Sequence, residues 1–349
     1  MFDVSKIIIT QEMLKLIAEI DSFKAVWQNV QKLTPETLKE LRKVATIESI
    51  GSSTRIEGSL LSDHDVEKLL SNLEMYQFAS RDQQEVLGYA FVCEEIFQGF
   101  SSMGFSENLI QQLHGWLLKY SQKDERHRGS YKKFSNNVEA FDPTGASLGI
   151  VFATTNPFET PFKMQELFSW IIVHIEQKTL HPLLLIGIFI VTFLAIHPFQ
   201  DGNGRLSRIL TTLLLLQAGY VYVPYSSLES IIERSKDSYY LALRQTQQTL
   251  KLNQPDFGPW LLFFLRSLQK QKNHLEHKIA HAKSFLLHMP EVSAQIMTLL
   301  DKHGRLTISQ FEKMSALNRN TLKKHVSNLV AGKHILRHGK GKSCWYTLP

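Results

Sequence analysis

Cysteine is scarce in this chain: 349 residues contain two, Cys93 and Cys344, far apart. That excludes a disulfide framework and any zinc site built on paired cysteines, and makes a reducing cytoplasm the expected compartment. Long apolar runs are also missing. The longest uncharged one, Leu183 to Ile196, is too short to cross a bilayer and reads as a central core helix. Residues Met1 to Thr10 carry Asp3 and Lys6 and show no extended apolar stretch or small-residue cleavage site, so neither a secretory signal nor a membrane association is expected. No internal repeat or low-complexity tract appears. Strand-type alternation is confined to one stretch before residue 161 and to the far C-terminus.

The length, with 43% hydrophobic and 21% charged residues, fits a globular protein of two or three domains with a large core. Helical periodicity covers most of the first 290 residues, in runs such as Asp63 to Asn72, Gln83 to Gln98, Ser106 to Ser121, Met164 to Gln177 and Lys236 to Leu250. Charge is unevenly spread. The net charge is +6, yet residues 301 to 349 hold ten Lys and Arg against Asp301 and Glu312, which leaves the preceding residues near −2. A charged, His-rich helical connector from Gln269 to His288, stopped by Pro290, leads into this basic tail. Within the tail, helices are predicted at Val292 to Lys302, Thr307 to Met314 and Arg319 to Val330, with a turn at 315–318. A hairpin with a glycine-rich basic tip follows at Ile335 to Tyr346.

Between two apolar segments lies His197-Pro198-Phe199-Gln200-Asp201-Gly202-Asn203-Gly204-Arg205-Leu206-Ser207-Arg208. Such a loop, pinned by buried helices, is where chemistry is placed. Gly202 and Gly204 let a ligand approach the backbone, whose N–H groups can cradle an anion. The helix restarting near Leu206 presents an N-terminus suited to phosphate. Arg205 and Arg208, three residues apart, project from its first turn, and guanidinium forks pair bidentately with phosphate oxygens. Asp201 offers a hard oxygen to a magnesium ion that keeps most of its waters. His197 could take a proton from an attacking hydroxyl. The combination points to a triphosphate site, without separating ATP from other pyrophosphate-linked donors.

At these residues the chain resembles the Fic family, whose motif HPFx(D/E)GNGRxxR is matched at every fixed position. The resemblance implies an all-α Fic fold with a small β-hairpin flap, and transfer of AMP from ATP to a Ser, Thr or Tyr hydroxyl of a protein, itself included. It implies that His197 deprotonates the target and that Asp201 holds Mg2+. Gly202, Asn203 and Gly204 would line the α- and β-phosphates within a stretch that includes Leu206 and Ser207. Arg205 and Arg208 would clamp the β- and γ-phosphates. Gly204 stands where a phosphorylating branch of the superfamily carries Lys.

Ser53-Thr54-Arg55-Ile56-Glu57-Gly58 matches (S/T)xxxE(G/N), the pattern of an inhibitory helix in that family. Read alone, it is capping or a solvated face. By resemblance, Ser53 and Glu57 belong to a brake in which Glu57 pairs with Arg208 and removes the partner of the γ-phosphate. Tyr239-Tyr240 falls where relatives place a pair at the base and ribose; aromatic faces stack on bases, although the two could equally close a core. The flap expected between Tyr131 and Pro161 has Gly149 to Thr154 as its strand, with Ile150, Val151, Phe152 and Ala153 docking an extended target segment as an added strand. Here the family's Gly-x-Tyr-Arg entry reads Gly129-Ser130-Tyr131-Lys132, and the flap lacks the usual glycine and double proline. The tail resembles the winged helix-turn-helix module that many relatives append. Arg319, Lys323 and Lys324 would enter a DNA major groove and Lys340 and Lys342 would touch phosphates, unless the module serves dimerisation or partner docking.

The expected organisation is a helical region at 1–107 with the inhibitory helix near 50–60, a catalytic domain at 108–254, a connector at 255–289 and a winged helix-turn-helix domain at 290–349. The expected partners are ATP, an unidentified protein target, a second copy of the chain and DNA. Two other functions are compatible with the same residues: removal of AMP from a modified protein, and DNA-binding regulation by a nucleotide-sensing body.

Overall fold

The computed structural model describes residues 3, 7–27, 35–71, 80–141, 147–250, 252, 255–287, 290–315, 317–332, 334–339, 341 and 344–348. In chain order they form α1 (Gln11–Trp27), α2 (Pro35–Ile56), α3 (Asp63–Ser71), α4 (Arg81–Gly99), α5 (Glu107–Leu117), β1 (Val138–Phe141), β2 (Ser147–Phe152), α6 (Thr160–Gln177), α7 (Pro182–Ile196), α8 (Asn203–Gln217), α9 (Leu228–Arg234), α10 (Lys236–Thr249), α11 (Gly258–Leu287), α12 (Glu291–His303), β3 (Arg305–Thr307), α13 (Ile308–Ser315), α14 (Arg319–Ala331), β4 (Leu336–His338) and β5 (Trp345–Thr347). The fold is mainly helical, as the periodicity predicts. The chain divides into two compact units, one of Met1–Gln31 with Leu41–His274 and the other of Lys32–Glu40 with Leu275–Pro349, so the boundary falls inside α2 and α11.

In the first unit α7 packs against α6, α8 and α10. Its start is set by Pro182 at the first position and by the His181 ring, which accepts the Leu183 N–H at 3.3 Å. From Leu183 to Leu194 every residue is buried, and each Leu, Ile or Phe so placed contributes about 1.5–3 kcal/mol of transfer free energy. The helix stops at His197, whose backbone is left-handed (φ 54°) and which precedes Pro198. After the loop, Gly202 (φ 80°) caps α8, and Leu206, Ile209, Leu210 and Leu213 return to the core. The loop from His197 to Gly202 is thus fixed at both ends by buried helices.

The hairpin pairs β1 and β2 antiparallel, with Glu139 opposite Ile150 and Phe141 opposite Ser147. Its second strand lies earlier than Gly149 to Thr154, and Ala153 falls beyond it. Past Phe152 the Thr154 N–H donates to Asn137 Oδ1 (3.1 Å) and the Thr154 hydroxyl to Asn136 Oδ1 (3.0 Å), which turns the chain off the ladder.

The second unit runs α12, β3, α13, α14, β4, β5, with antiparallel strands in the order β3–β5–β4. Ile296, Leu300, Phe311, Leu322, Val326 and Tyr346 form its core. Thr307 closes β3 rather than opening a helix; a three-residue strand carries no readable period. The charged stretch from Gln269 continues α11, which begins at Gly258. His288, Ala316, Lys340 and Lys342 lie outside the described residues. No helix among the described residues is long and apolar enough to cross a membrane.

Candidate active site

The loop is braced from three directions. Asn203, 2% exposed, turns its amide back on the loop: Oδ1 accepts the Phe199 N–H (2.9 Å) and Nδ2 donates to the Phe199 carbonyl (2.7 Å). From the segment entering the hairpin, Asn136 Nδ2 donates to the same carbonyl at 2.6 Å. The buried Lys132 ammonium donates to Ile196 O (3.1 Å), Asn136 Oδ1 (2.8 Å) and Thr154 Oγ1 (2.9 Å), and burial lowers its pKa to about 8. The third brace is His114, fully buried on α5. Its ring stacks on Phe199 at 3.8 Å, and Nδ1 accepts the Gly129 N–H (2.9 Å). Nε2 therefore carries the proton and donates to the Asp201 carbonyl at 3.0 Å.

His197 takes the opposite tautomer. Its Nδ1 lies 3.2 Å from the Leu194 carbonyl, which only accepts, so the proton sits on Nδ1 and Nε2 keeps a free lone pair. Burial holds both rings down to about 4, so each is neutral at ordinary pH.

The cations and carboxylates are interlocked. Arg205, 2% exposed, is turned to Glu85 on α4 (3.0 Å) and to Asp201 Oδ1 (3.3 Å). Arg81 reaches Asp201 Oδ2 at 2.6 Å. Burial raises the Asp201 pKa, but Arg205, the Gly202 N–H and Arg81 outweigh it and hold the carboxyl below its ordinary value. Among the described residues no three His, Cys, Asp or Glu side chains converge on a point a metal could occupy. Magnesium held by one carboxylate, waters and phosphates needs no such cluster, and the donor fits: a hard oxygen at the cavity wall beside the α8 N-terminus.

The end of α2 enters this site. Gly58 (φ 105°) terminates the helix by donating to Arg55 O (3.0 Å) while the Ser59 N–H reaches Thr54 O (3.1 Å), the paired bonds of a Schellman stop. Glu57 is thereby left at the helix end, a third exposed, with Oε1 2.7 Å from Arg208 Nη2. Ser53 is fully buried and serves the same guanidinium: its hydroxyl accepts from Nε (2.8 Å) and its carbonyl from Nη2 (2.9 Å). Burial opposes the Arg208 charge, yet Glu57, Tyr239 and Tyr89 hold its pKa above the ordinary value. Arg208 Nη1 is buried without a hydrogen-bond partner among the described residues. A side chain at Gly204 would run into the Glu57 carboxylate, which therefore lies directly over the first turn of α8.

A cavity of about 800 Å³ opens here, within the size range of ligand sites. Its walls bring together Glu57, His197, Asp201, Gly202, Asn203, Gly204, Tyr239 and Tyr240 from stretches far apart in sequence. Tyr240 is 43% exposed, whereas Tyr239 is 3% exposed and packs on Trp260 and Phe263. Four expected contacts do not line it. Leu206 is in the core, Ser207 donates to Gly204 O (2.7 Å), Arg208 is held by α2, and Arg205 points to Glu85 instead of outward to a phosphate. For the hairpin, strand pairing is described but the side-chain surroundings of Ile150, Val151 and Phe152 lie outside the described residues. Sequence reasoning missed His114, Asn136, Arg81 and Glu85, for which no local pattern exists. It also missed Asp237, Arg244 and Gln247 on the cavity wall, which the 3–4–3 spacing of polar residues with Tyr240 along α10 could have revealed.

Residues 104–215 match the Fic/DOC family. Protein adenylyltransferase Fic of Drosophila melanogaster is 26% identical over 237 residues, covering 67% of this chain and 42% of the relative. That of Drosophila willistoni is 24% identical over 258 residues, 73% and 46% of the two chains. This chain thus spans less than half the length of these curated relatives. Among solved structures, a Fic family protein from Desulfovibrio desulfuricans G20 aligns with a TM-score of 0.62 at 24% identity, covering 98% of this chain and 97% of the other. A Fic domain containing signaling protein from Bacteroides thetaiotaomicron aligns at 0.61 and 24%, over 78% and 97%. At such identities the likeness establishes the fold.

Proposed function

We propose that this chain, which carries a Fic/DOC-family domain across residues 104–215, transfers AMP from ATP to Ser, Thr or Tyr hydroxyls of proteins, and that Glu57 holds this activity down. The observation supporting the chemistry is that the free Nε2 of His197 shares one cavity with the N-terminus of α8. The N–H groups of Asn203, Gly204 and Arg205 have no acceptor within the helix and lie at its positive end, where an anion is stabilised. With the α-phosphate seated there, Nε2 takes the proton of the target hydroxyl as its oxygen attacks the α-phosphorus. The bond to the β-phosphate breaks and pyrophosphate leaves. Asp201 would ligate Mg2+, which when bound neutralises charge on the departing pyrophosphate. Arg208, with one donor still unpaired, would hold the γ-phosphate. Arg205 then acts indirectly, by fixing Asp201. The open edge of the hairpin would align an extended target segment by backbone pairing.

The brake follows from occupancy. The Glu57 carboxylate lies over Gly204 and is bound to Arg208, so two anions would compete for one seat and one guanidinium. Intact-mass measurement after incubation with ATP and Mg2+ tests the reading on wild type, Glu57→Gly and the double variant Glu57→Gly/His197→Ala. A gain of one AMP in the second, absent in the third, is the expected result. No gain in Glu57→Gly, or a gain in the double variant, would overturn it. Loss of AMP from a modified target that depends on Glu57 would point to the reverse reaction.

We also propose that residues 290–349 form a winged helix-turn-helix domain that binds DNA. The supporting observation is that Arg319, Lys323 and Lys324 are all exposed on α14, while Leu322, Val326 and Leu329 face the core. A gel shift that weakens steeply with salt is the expected outcome; no binding to duplex DNA at low salt excludes it.

A further inference from the structure

Arg81, Glu85, Arg205 and Asp201 close a ring of alternating charge. Arg81 Nε donates to Glu85 Oε1 at 2.8 Å, and Glu85 Oε2 lies 3.0 Å from Arg205 Nη1. Arg205 Nη2 reaches Asp201 Oδ1 at 3.3 Å, and Asp201 Oδ2 accepts from Arg81 Nη2 at 2.6 Å. The ring joins the first turn of α4 to the catalytic loop and has no net charge. Oδ1 of Asp201 also accepts the Gly202 N–H, so both of its oxygens are engaged.

We infer that Arg81 is a positioning residue that competes with a divalent cation for Asp201, so that the metal seat opens only when this guanidinium turns away. The inference rests on the reading that Asp201 is the metal ligand. The two guanidiniums are not equally free to leave. Arg205 is 2% exposed and Glu85 9%, and withdrawing Arg205 would strand a buried charge. Arg81 is 47% exposed, so water rehydrates it on release. Nε and Nη2 belong to one rigid planar guanidinium, so the head group turns out to water as a whole on its flexible stem, giving up Glu85 together with Asp201. Once Arg81 leaves Asp201, the remaining trio of Glu85, Arg205 and Asp201 carries one net negative charge, which favours a dication. Arg81 thus keeps the carboxylate aimed and neutralised until metal arrives, and sets the metal concentration at which the site fills.

Manganese alone is the probe, titrated calorimetrically into the full chain without nucleotide, for wild type, Arg81→Ala, Arg81→Gln, Arg81→Lys and Asp201→Ala. Loss of a half-exposed ion-pair competitor is expected to tighten Mn2+ binding about twofold to fivefold in Arg81→Ala and Arg81→Gln. Arg81→Lys, which keeps the charge, is expected to stay near wild type, and Asp201→Ala to lose the site. Should Arg81→Ala fail to fold, judged by its thermal melt, Arg81→Gln carries the comparison. Unchanged affinity in the neutral variants with loss in Asp201→Ala overturns the competition alone. Undiminished binding in Asp201→Ala overturns the assignment of the metal to that residue.

Discussion

Glu57 and Arg208 stand 151 positions apart and meet at 2.7 Å, at the junction of two helix ends of opposite polarity. The Glu57 carboxylate sits at the C-terminus of α2, where the macrodipole disfavours an anion, and over the N-terminus of α8, where it favours one, at about 0.3–1 kcal/mol for each end. Its own helix therefore does little to hold it. The pair with Arg208 does most of the work, and anything that tilts the last turn of α2 loosens it.

That last turn is tethered by Arg55, which donates Nε and Nη2 to the two oxygens of Glu233 on α9 at 2.7 and 3.0 Å. Glu233→Ala is expected to raise self-modification a few-fold, less than Glu57→Gly, because it loosens the carboxylate without removing it. In the double variant the effects should not add, since a brake already removed cannot be weakened. Labelled-AMP incorporation across the four proteins measures this. An additive double variant would show that Glu233 acts elsewhere.

Gly204→Ala separates displacement of the brake from activation. The new methyl must push the Glu57 carboxylate aside, yet it stands where a phosphate would approach the first turn of α8. The variant is expected to lose the stabilisation of the Glu57–Arg208 pair, about 1–3 kcal/mol for a partly buried contact between the exposed and buried limits, and to gain no transfer activity. Chemical denaturation and AMP incorporation report the two quantities. Activation comparable to Glu57→Gly would mean that the ligand does not pass over Gly204.

The loop from His197 to Gly202 was legible because its flanks are uncharged apolar runs and its glycines interrupt them; the same hydrophobic contrast located α7 and α8. The pairing of Glu57 with Arg208 was expected only through the family resemblance, because Ser53 to Gly58 read alone is capping or a solvated face. Other features depend on partners that only folding brings near. Arg205 and Arg208 share a helical face, so spacing sends both to one ligand. In the folded chain Arg205 meets Glu85 from α4 and Arg208 meets Ser53 and Glu57 from α2. His114 and Asn136 carry no signal at all, because the loop atoms they support, the Asp201 carbonyl and Phe199 ring for one and the Phe199 carbonyl for the other, lie more than sixty residues away in the chain.

Acid should weaken the fold through the two neutral histidines. Both have folded pKa values near 4, below the ordinary 6.5. Between those limits the unfolded chain binds protons that the native state refuses, so stability falls as pH drops from about 6.5 to about 4. For the fully buried His114 the loss is at most about 3 kcal/mol. Denaturation midpoints between pH 7 and 5 should show a steeper dependence in wild type than in His197→Ala, by up to one proton. The same shift keeps His197 a free base down to about pH 5, so transfer by Glu57→Gly should persist well below 6.5. An acid limb at 6.5 would place the titrating group elsewhere.

Along α10, Asp237, Tyr240, Arg244 and Gln247 recur at helical spacing on the wall of the same cavity. Gln247 is 8% exposed, and its amide supplies a donor and an acceptor side by side, the complement of an adenine edge. A buried polar group that loses its ligand partner costs about 1–3 kcal/mol. In the Glu57→Gly background, Gln247→Leu should therefore raise the KM for ATP about tenfold while leaving kcat within twofold, because the base end is bound equally in the ground and transition states. Tyr240→Ala should act in the same direction by removing a stacking face. If kcat falls and KM holds, the α10 face instead aligns the reacting phosphate, and the base lies along another wall.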